Sequence, residues 1–156
     1  MNRQKFKVGR SKEGTLFELS FIVIAILVWV GIIMMFNHAP DTVPTHFGPS
    51  GTPDAYGSKY KMLFPCILMT VVGACFLAGA YFPHTVNLPG VEMTNARQAM
   101  LGVRMMRIMA LLFVALTAAI AADTMRGHIL FVFFVLAALL IVSVVFTILI
   151  YRAKNE

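Results

Sequence analysis

Four apolar runs, at residues 19–36, 62–82, 105–122 and 129–151, constrain this chain more than anything else in it. Each is close to the roughly 20 residues that a helix needs to cross a hydrocarbon core about 30 Å thick. A lone strand in lipid would leave its backbone donors and acceptors unpaired, so all four runs are predicted as helices. Hydrophobic residues make up 59% of the chain and charged residues 13%, a balance that excludes an ordinary soluble domain. The short connections at 83–94 and 123–127 favour neighbours that run in opposite directions. The predicted fold is an all-α membrane protein: four transmembrane helices in an antiparallel bundle, with a structured outer loop rich in Pro and Gly between the first two. One integral membrane domain covers 1–156, with a basic tail at 1–14 and the outer loop at 37–61.

Orientation follows from the basic residues. Arg3, Lys5, Lys7, Arg10, Lys12, Arg97, Arg104, Arg107, Arg152 and Lys154 fall on one side of a four-span topology, and Lys59, Lys61 and Arg126 on the other. The positive-inside rule then places both termini in the cytoplasm and the 37–61 loop outside. The first apolar run is longer than an ordinary signal core and is followed by no small-x-small cleavage site, so it is expected to stay in the mature protein. Topology and attraction to anionic lipid heads account for the net charge of +6, which leaves no reason to invoke nucleic acid.

Local signals mark helix starts. Thr15 and Glu18 have the spacing of a capping box, as do Asn95 and Gln98. Ser58 is a candidate N-cap for the second helix, with Pro65 in or near its first turns.

The 37–61 loop is the long polar stretch between spans. Its four prolines and three glycines restrict the backbone in advance, which suits a shaped surface better than a flexible linker. Pro44-Thr45-His46-Phe47, followed by Gly51-Thr52-Pro53-Asp54-Ala55-Tyr56-Gly57-Ser58-Lys59 leading into a membrane helix, resembles the motif of the bacterial domain of unknown function family 1648. The segment from Phe82-Pro83-His84 to Asn95, with the Arg-bearing third helix after it, is similar to the same pattern, so the resemblance spans roughly 19–110. The family often has Asn after the His-Phe pair and Glu before the Pro-Asp pair; this chain has Gly48 and Thr52. The same domain is similar to the N-terminal part of SdpI-type immunity proteins, which protect bacteria against a secreted peptide toxin, although this chain has no counterpart of their further C-terminal membrane region. The resemblance implies a multi-pass protein of the bacterial inner membrane, with immunity or toxin sensing as the use known from a relative.

Candidate ligand-binding residues of the loop are Asp41, Pro44, His46, Phe47, Asp54, Tyr56 and Lys59. His38, Asp41, His46 and Asp54 supply two imidazoles and two carboxylates, ligand types that suit a divalent metal, although their spacing matches no established metal motif. The plainer account has His46 and Phe47 folding the loop onto the helix ends, while Asp41 and Asp54 accept backbone hydrogen bonds. At the cytoplasmic end, Arg97, Arg104 and Arg107 lie within roughly 80° of one another on one helix face. Glu18 is the expected partner of these arginines, in a polar cluster that either balances charge or docks a cytoplasmic regulator. Cys66 and Cys75 point to nearly opposite helix faces and are expected to stay free.

Enzyme signatures are missing: there is no H-E-x-x-H, no G-x-S-x-G, no phosphate-binding loop, and no carboxylate in the middle of a span. No cofactor is predicted. The expected function is a recognition, sensing or immunity module whose outer loop meets a secreted peptide or a lipid. The alternative is a metal-dependent membrane enzyme built on His46 and the loop carboxylates.

Overall fold

The computed structural model describes residues 9, 11–82 and 94–155. Along the chain these form α1 (Lys12–His38), β1 (Thr42–Phe47), β2 (Pro53–Ser58), α2 (Tyr60–Gly79), α3 (Ala96–Arg126), α4 (Phe131–Arg152) and a closing 3-10 turn, Ala153–Asn155. All four α-helices are long and apolar enough to cross a membrane. Most of the predicted 83–94 connection, and most of the basic tail, lie outside the described residues.

The helix ends obey local chemistry, with two corrections. Asn95 and Gln98 form the full predicted capping box at the start of α3. The first helix begins a turn earlier than Thr15: Ser11 is its N-cap, and its hydroxyl accepts from the Gly14 N–H at 3.0 Å. Thr15 instead sits inside the helix and donates its hydroxyl to the Ser11 carbonyl. Ser58 caps nothing, because it closes β2; Lys59 precedes α2 and caps it with no side-chain hydrogen bond. Pro65 lies inside α2. Gly127, at φ 68°, ends α3 in the left-handed conformation that glycine reaches without steric cost.

α3 is the hub of the helices and packs against α1, α2 and α4. In its apolar stretch 44% of residues are buried, against 11% in α1 and in α4, whose exposed Leu, Ile, Val and Phe side chains suit contact with lipid. α2 approaches α3 closely at Gly73, where an added Cβ would lie 3.0 Å from the Ala110 carbonyl oxygen. Small residues allow such contacts in lipid, where the hydrophobic effect does not drive helices together.

A polar ladder also ties α1, α2 and α3. Trp29 Nε1 donates to Thr70 Oγ1 at 3.1 Å, and Thr70 and Thr117 share a hydroxyl–hydroxyl bond at 3.3 Å. Each hydroxyl has a single proton, so the two protons are shared between this contact and the Cys66 and Phe113 carbonyls, which lie 2.8 and 3.0 Å from the Thr70 and Thr117 oxygens. Bonds of this kind between membrane helices are worth about 0.6 kcal/mol each. Cys66, buried beside this ladder, and exposed Cys75 are both free thiols.

The predicted all-α description needs one correction, since the 37–61 loop contains a two-stranded antiparallel hairpin. Thr42 pairs with Ser58, Val43 with Gly57 and Pro44 with Tyr56; the register then slips, so that His46 faces Ala55 and Phe47 faces Pro53. Sequence periodicity is a poor guide to such short strands, here broken by Pro44 and by irregular pairing.

Candidate functional site

The hairpin is fastened to the helices at its base and at its tip. At the base, Val43 is buried and the Lys59 N–H donates to the Asp41 carbonyl at 3.0 Å. The Lys59 ammonium lies 5.2 Å from the centre of the Phe36 ring, donates to the Ala39 carbonyl at 3.3 Å and reaches the Asp41 carboxylate at 3.4 Å. Tyr60 meets the same Phe36 ring edge-on at 5.2 Å. At the tip, the turn closes through Gly48 N–H to the Thr52 carbonyl and Gly51 N–H to the Gly48 carbonyl, both 2.9 Å. The Gly51 carbonyl then accepts from the Ile129 N–H at 3.0 Å, docking the tip on the connection between α3 and α4.

These anchors sort the predicted loop residues by job. Asp41 and Lys59 hold the base, while Pro44 and Phe47 line a cavity beneath the hairpin. His46, Asp54 and Tyr56 remain exposed. The register slip leaves Asp54 opposite no β1 residue, as a bulge does, and there its Oδ1 lies 2.5 Å from His46 Nδ1. Those side chains are 69% and 51% exposed, so the pair is screened by solvent and stabilises the hairpin by well under 1 kcal/mol. Gly48 keeps the space beside it open: a Cβ there would sit 3.2 Å from Asp54 Oδ2. Of the four candidate metal ligands only His46 and Asp54 meet. His38 Nδ1 is 2.8 Å from the Met34 carbonyl oxygen and Asp41 turns to Lys59. Among the described residues no three His, Cys, Asp or Glu side chains converge.

The opposite end holds the arginines. Arg104 makes a two-pronged contact with Glu13, Nε to Oε1 at 2.9 Å and Nη2 to Oε2 at 3.1 Å. Glu13 thus takes the place predicted for Glu18 beside Arg104, while Glu18 accepts a hydrogen bond from the Tyr81 hydroxyl. Arg107 is buried against Gly14, and Arg97 is exposed. The shared helix face was legible from spacing. The choice of Glu13 was not, because it depends on α1 extending down to Lys12.

Sequence reasoning missed Asp123. It is 1% exposed near the end of α3; its Oδ2 accepts from the Val132 N–H at 2.9 Å, tying the first turn of α4, and its Oδ1 has no partner. An acid at the very end of an apolar run was the available signal.

Comparison with known proteins gives a family match that spans the hairpin. Residues 22–71, which run from α1 through the hairpin into α2, match the model of the Domain of unknown function (DUF1648) family. The chain is also similar to an uncharacterised protein of Archaeoglobus fulgidus, 34% identical over 86 residues, which covers 50% of this chain and 46% of the relative. The chain therefore aligns with about half the length of that relative. No solved structure matches. Together these findings describe a membrane protein carrying a domain of unknown function.

Proposed function

We propose that the chain is a multi-pass recognition module of the bacterial cytoplasmic membrane, an antiparallel four-helix bundle that presents its hairpin outside the cell to a secreted peptide. The observation that carries this reading is the hairpin's division of labour: its base and tip are fastened to the helices, yet His46, Asp54 and Tyr56 stay exposed. A strand pair held in place loses little freedom on binding, so its exposed groups contribute more fully to affinity. The tyrosine ring and the imidazole–carboxylate pair offer apolar and polar contacts of the kind that anchor peptide ligands. The resemblance to SdpI-type proteins makes toxin immunity or envelope sensing the biological use. In this orientation Glu13, Arg104 and Arg107 face the cytoplasm, where the basic end of α3 is available to a regulator.

The test has two parts. In intact cells, a cysteine placed by Ser50→Cys in a Cys75→Ser background, where the remaining native thiol is the buried Cys66, reacts with a membrane-impermeant maleimide if the hairpin is outside, while the Cys75→Ser parent does not; lack of labelling reverses the topology. For the purified full chain, fractionated secreted peptides are screened for a rise in Tm, with wild type compared to His46→Ala. The expected result is a fraction that raises the wild-type Tm and leaves the variant unchanged. An equal rise in both removes His46 from the recognition surface, and stoichiometric metal lost in His46→Ala moves the site to metal chemistry.

A further inference from the structure

Beneath the hairpin lies a cavity of about 390 Å³, the size of a small-ligand site. Its walls come from β1 (Pro44, Phe47), the start of α2 (Phe64, Pro65) and the α3–α4 region (Ile120, Val132). Two charged residues also line it, Asp123 and Lys61, and they make no ion pair with each other. Asp123 is buried, and its Oδ1 accepts no hydrogen bond. A buried acceptor without a partner carries a desolvation penalty that a ligand's donor can recover. The last torsion of an aspartate is broad, so a small rocking of the carboxylate presents Oδ1 to the cavity.

The site has an anion and a cation on one apolar chamber, and its depth is set by the chain. Lys61 immediately precedes the 62–82 apolar run and Asp123 immediately follows the 105–122 run, so both stand at one membrane–water boundary. Phe64, 70% exposed, opens the wall towards lipid. We propose that this cavity binds the headgroup of a phospholipid bearing a primary ammonium, with the ammonium donating to Asp123 and the phosphate resting near Lys61. The apolar walls then cover the glycerol and upper acyl carbons. This site is separate from the exposed His46–Asp54 face and does not depend on what that face binds.

The discriminating chemistry is the donor. Phosphatidylethanolamine and phosphatidylcholine carry the same charges, but the quaternary ammonium of the second has no N–H to give. Native mass spectrometry of the full chain, delipidated and then titrated with each lipid in detergent, reads the preference. Wild type is expected to retain phosphatidylethanolamine about tenfold more tightly than phosphatidylcholine, a difference of about 1.4 kcal/mol. Asp123→Asn keeps an oxygen to accept from the Val132 N–H and removes the charge; it is expected to lose the preference at unchanged helicity. Lys61→Gln, at an exposed position, is expected to weaken both phospholipids alike. Equal retention of the two lipids by wild type, or an unchanged preference in Asp123→Asn when both variants are folded, overturns the proposal. A short apolar peptide with a free N-terminus that displaces the lipid, where its N-acetylated form does not, reassigns the ammonium to a peptide and overturns the lipid assignment.

Discussion

The two ends of α3 both bind α4, and they do it with different completeness. At its start, Gln98 is fully buried and every polar atom of its amide is used. Its Oε1 accepts from the Thr94 and Asn95 N–H groups and the Thr94 hydroxyl, and its Nε2 donates to the Ile150 carbonyl at 3.0 Å. Asn95 adds a bond from Nδ2 to the Ala153 carbonyl at 2.7 Å. At the other end Asp123 holds α4 through one oxygen and leaves the second without a partner. A satisfied buried network rigidifies the fold, whereas an unsatisfied acceptor beside a cavity is where binding energy is still available. One end of α3 is closed by a complete network, and the other keeps an unpartnered acceptor beside the cavity where we place the proposed lipid.

The largest test of that contrast is Gln98→Leu. It removes the acceptor of the part-buried Thr94 and Asn95 N–H groups and leaves the buried Ile150 carbonyl without its donor from Gln98, and is expected to cost about 1–3 kcal/mol. Thermal unfolding in detergent measures it; a loss below about 1 kcal/mol would show that the amide network is not what joins these helix ends. Gly51→Ala probes the hairpin end. Its φ of 79° suits glycine and an added Cβ would lie 3.2 Å from His128 Cε1, so about 1–2 kcal/mol of strain is expected. The effect should be local: faster hydrogen exchange at the Ile129 N–H, which bonds Gly51, with little change in Tm. A full drop in Tm instead would make the hairpin part of the cooperative core. The smallest effect is expected for the exposed Arg104–Glu13 pair, whose coupling in a double-mutant cycle with Arg104→Ala and Glu13→Ala should stay below about 1 kcal/mol. A larger coupling would make the arginine end's surface charge, and not only its buried amides, a structural element.

How much of this was legible varied with the range of the interaction. The Asn95–Gln98 box was readable because both partners lie within one turn, although its second role, holding Ile150 and Ala153, spans more than fifty residues. Thr15–Glu18 had the same spacing and failed, because Ser11 offered a competing cap one turn earlier. The loop's stiffness was evident from its prolines and glycines, but the slip that brings Asp54 to His46 depends on pairing between strands. Thr70 and Thr117 gave no periodic signal at all; their hydroxyls meet where α2 and α3 pack together, on the same pair of helices that approach closely at Gly73.

Membrane character was determined by the sequence alone, because transfer of apolar runs into lipid is a local property summed along the chain, and so was the position of the spans and of the polar loop between the first two. Tertiary structure decided that α3 is the hub, that Glu13 pairs with Arg104, and that Asp123 and Lys61 share a cavity under the hairpin. Each of those depends on which surfaces meet, and a charge or hydroxyl acquires its role only from the neighbour that packing sets beside it.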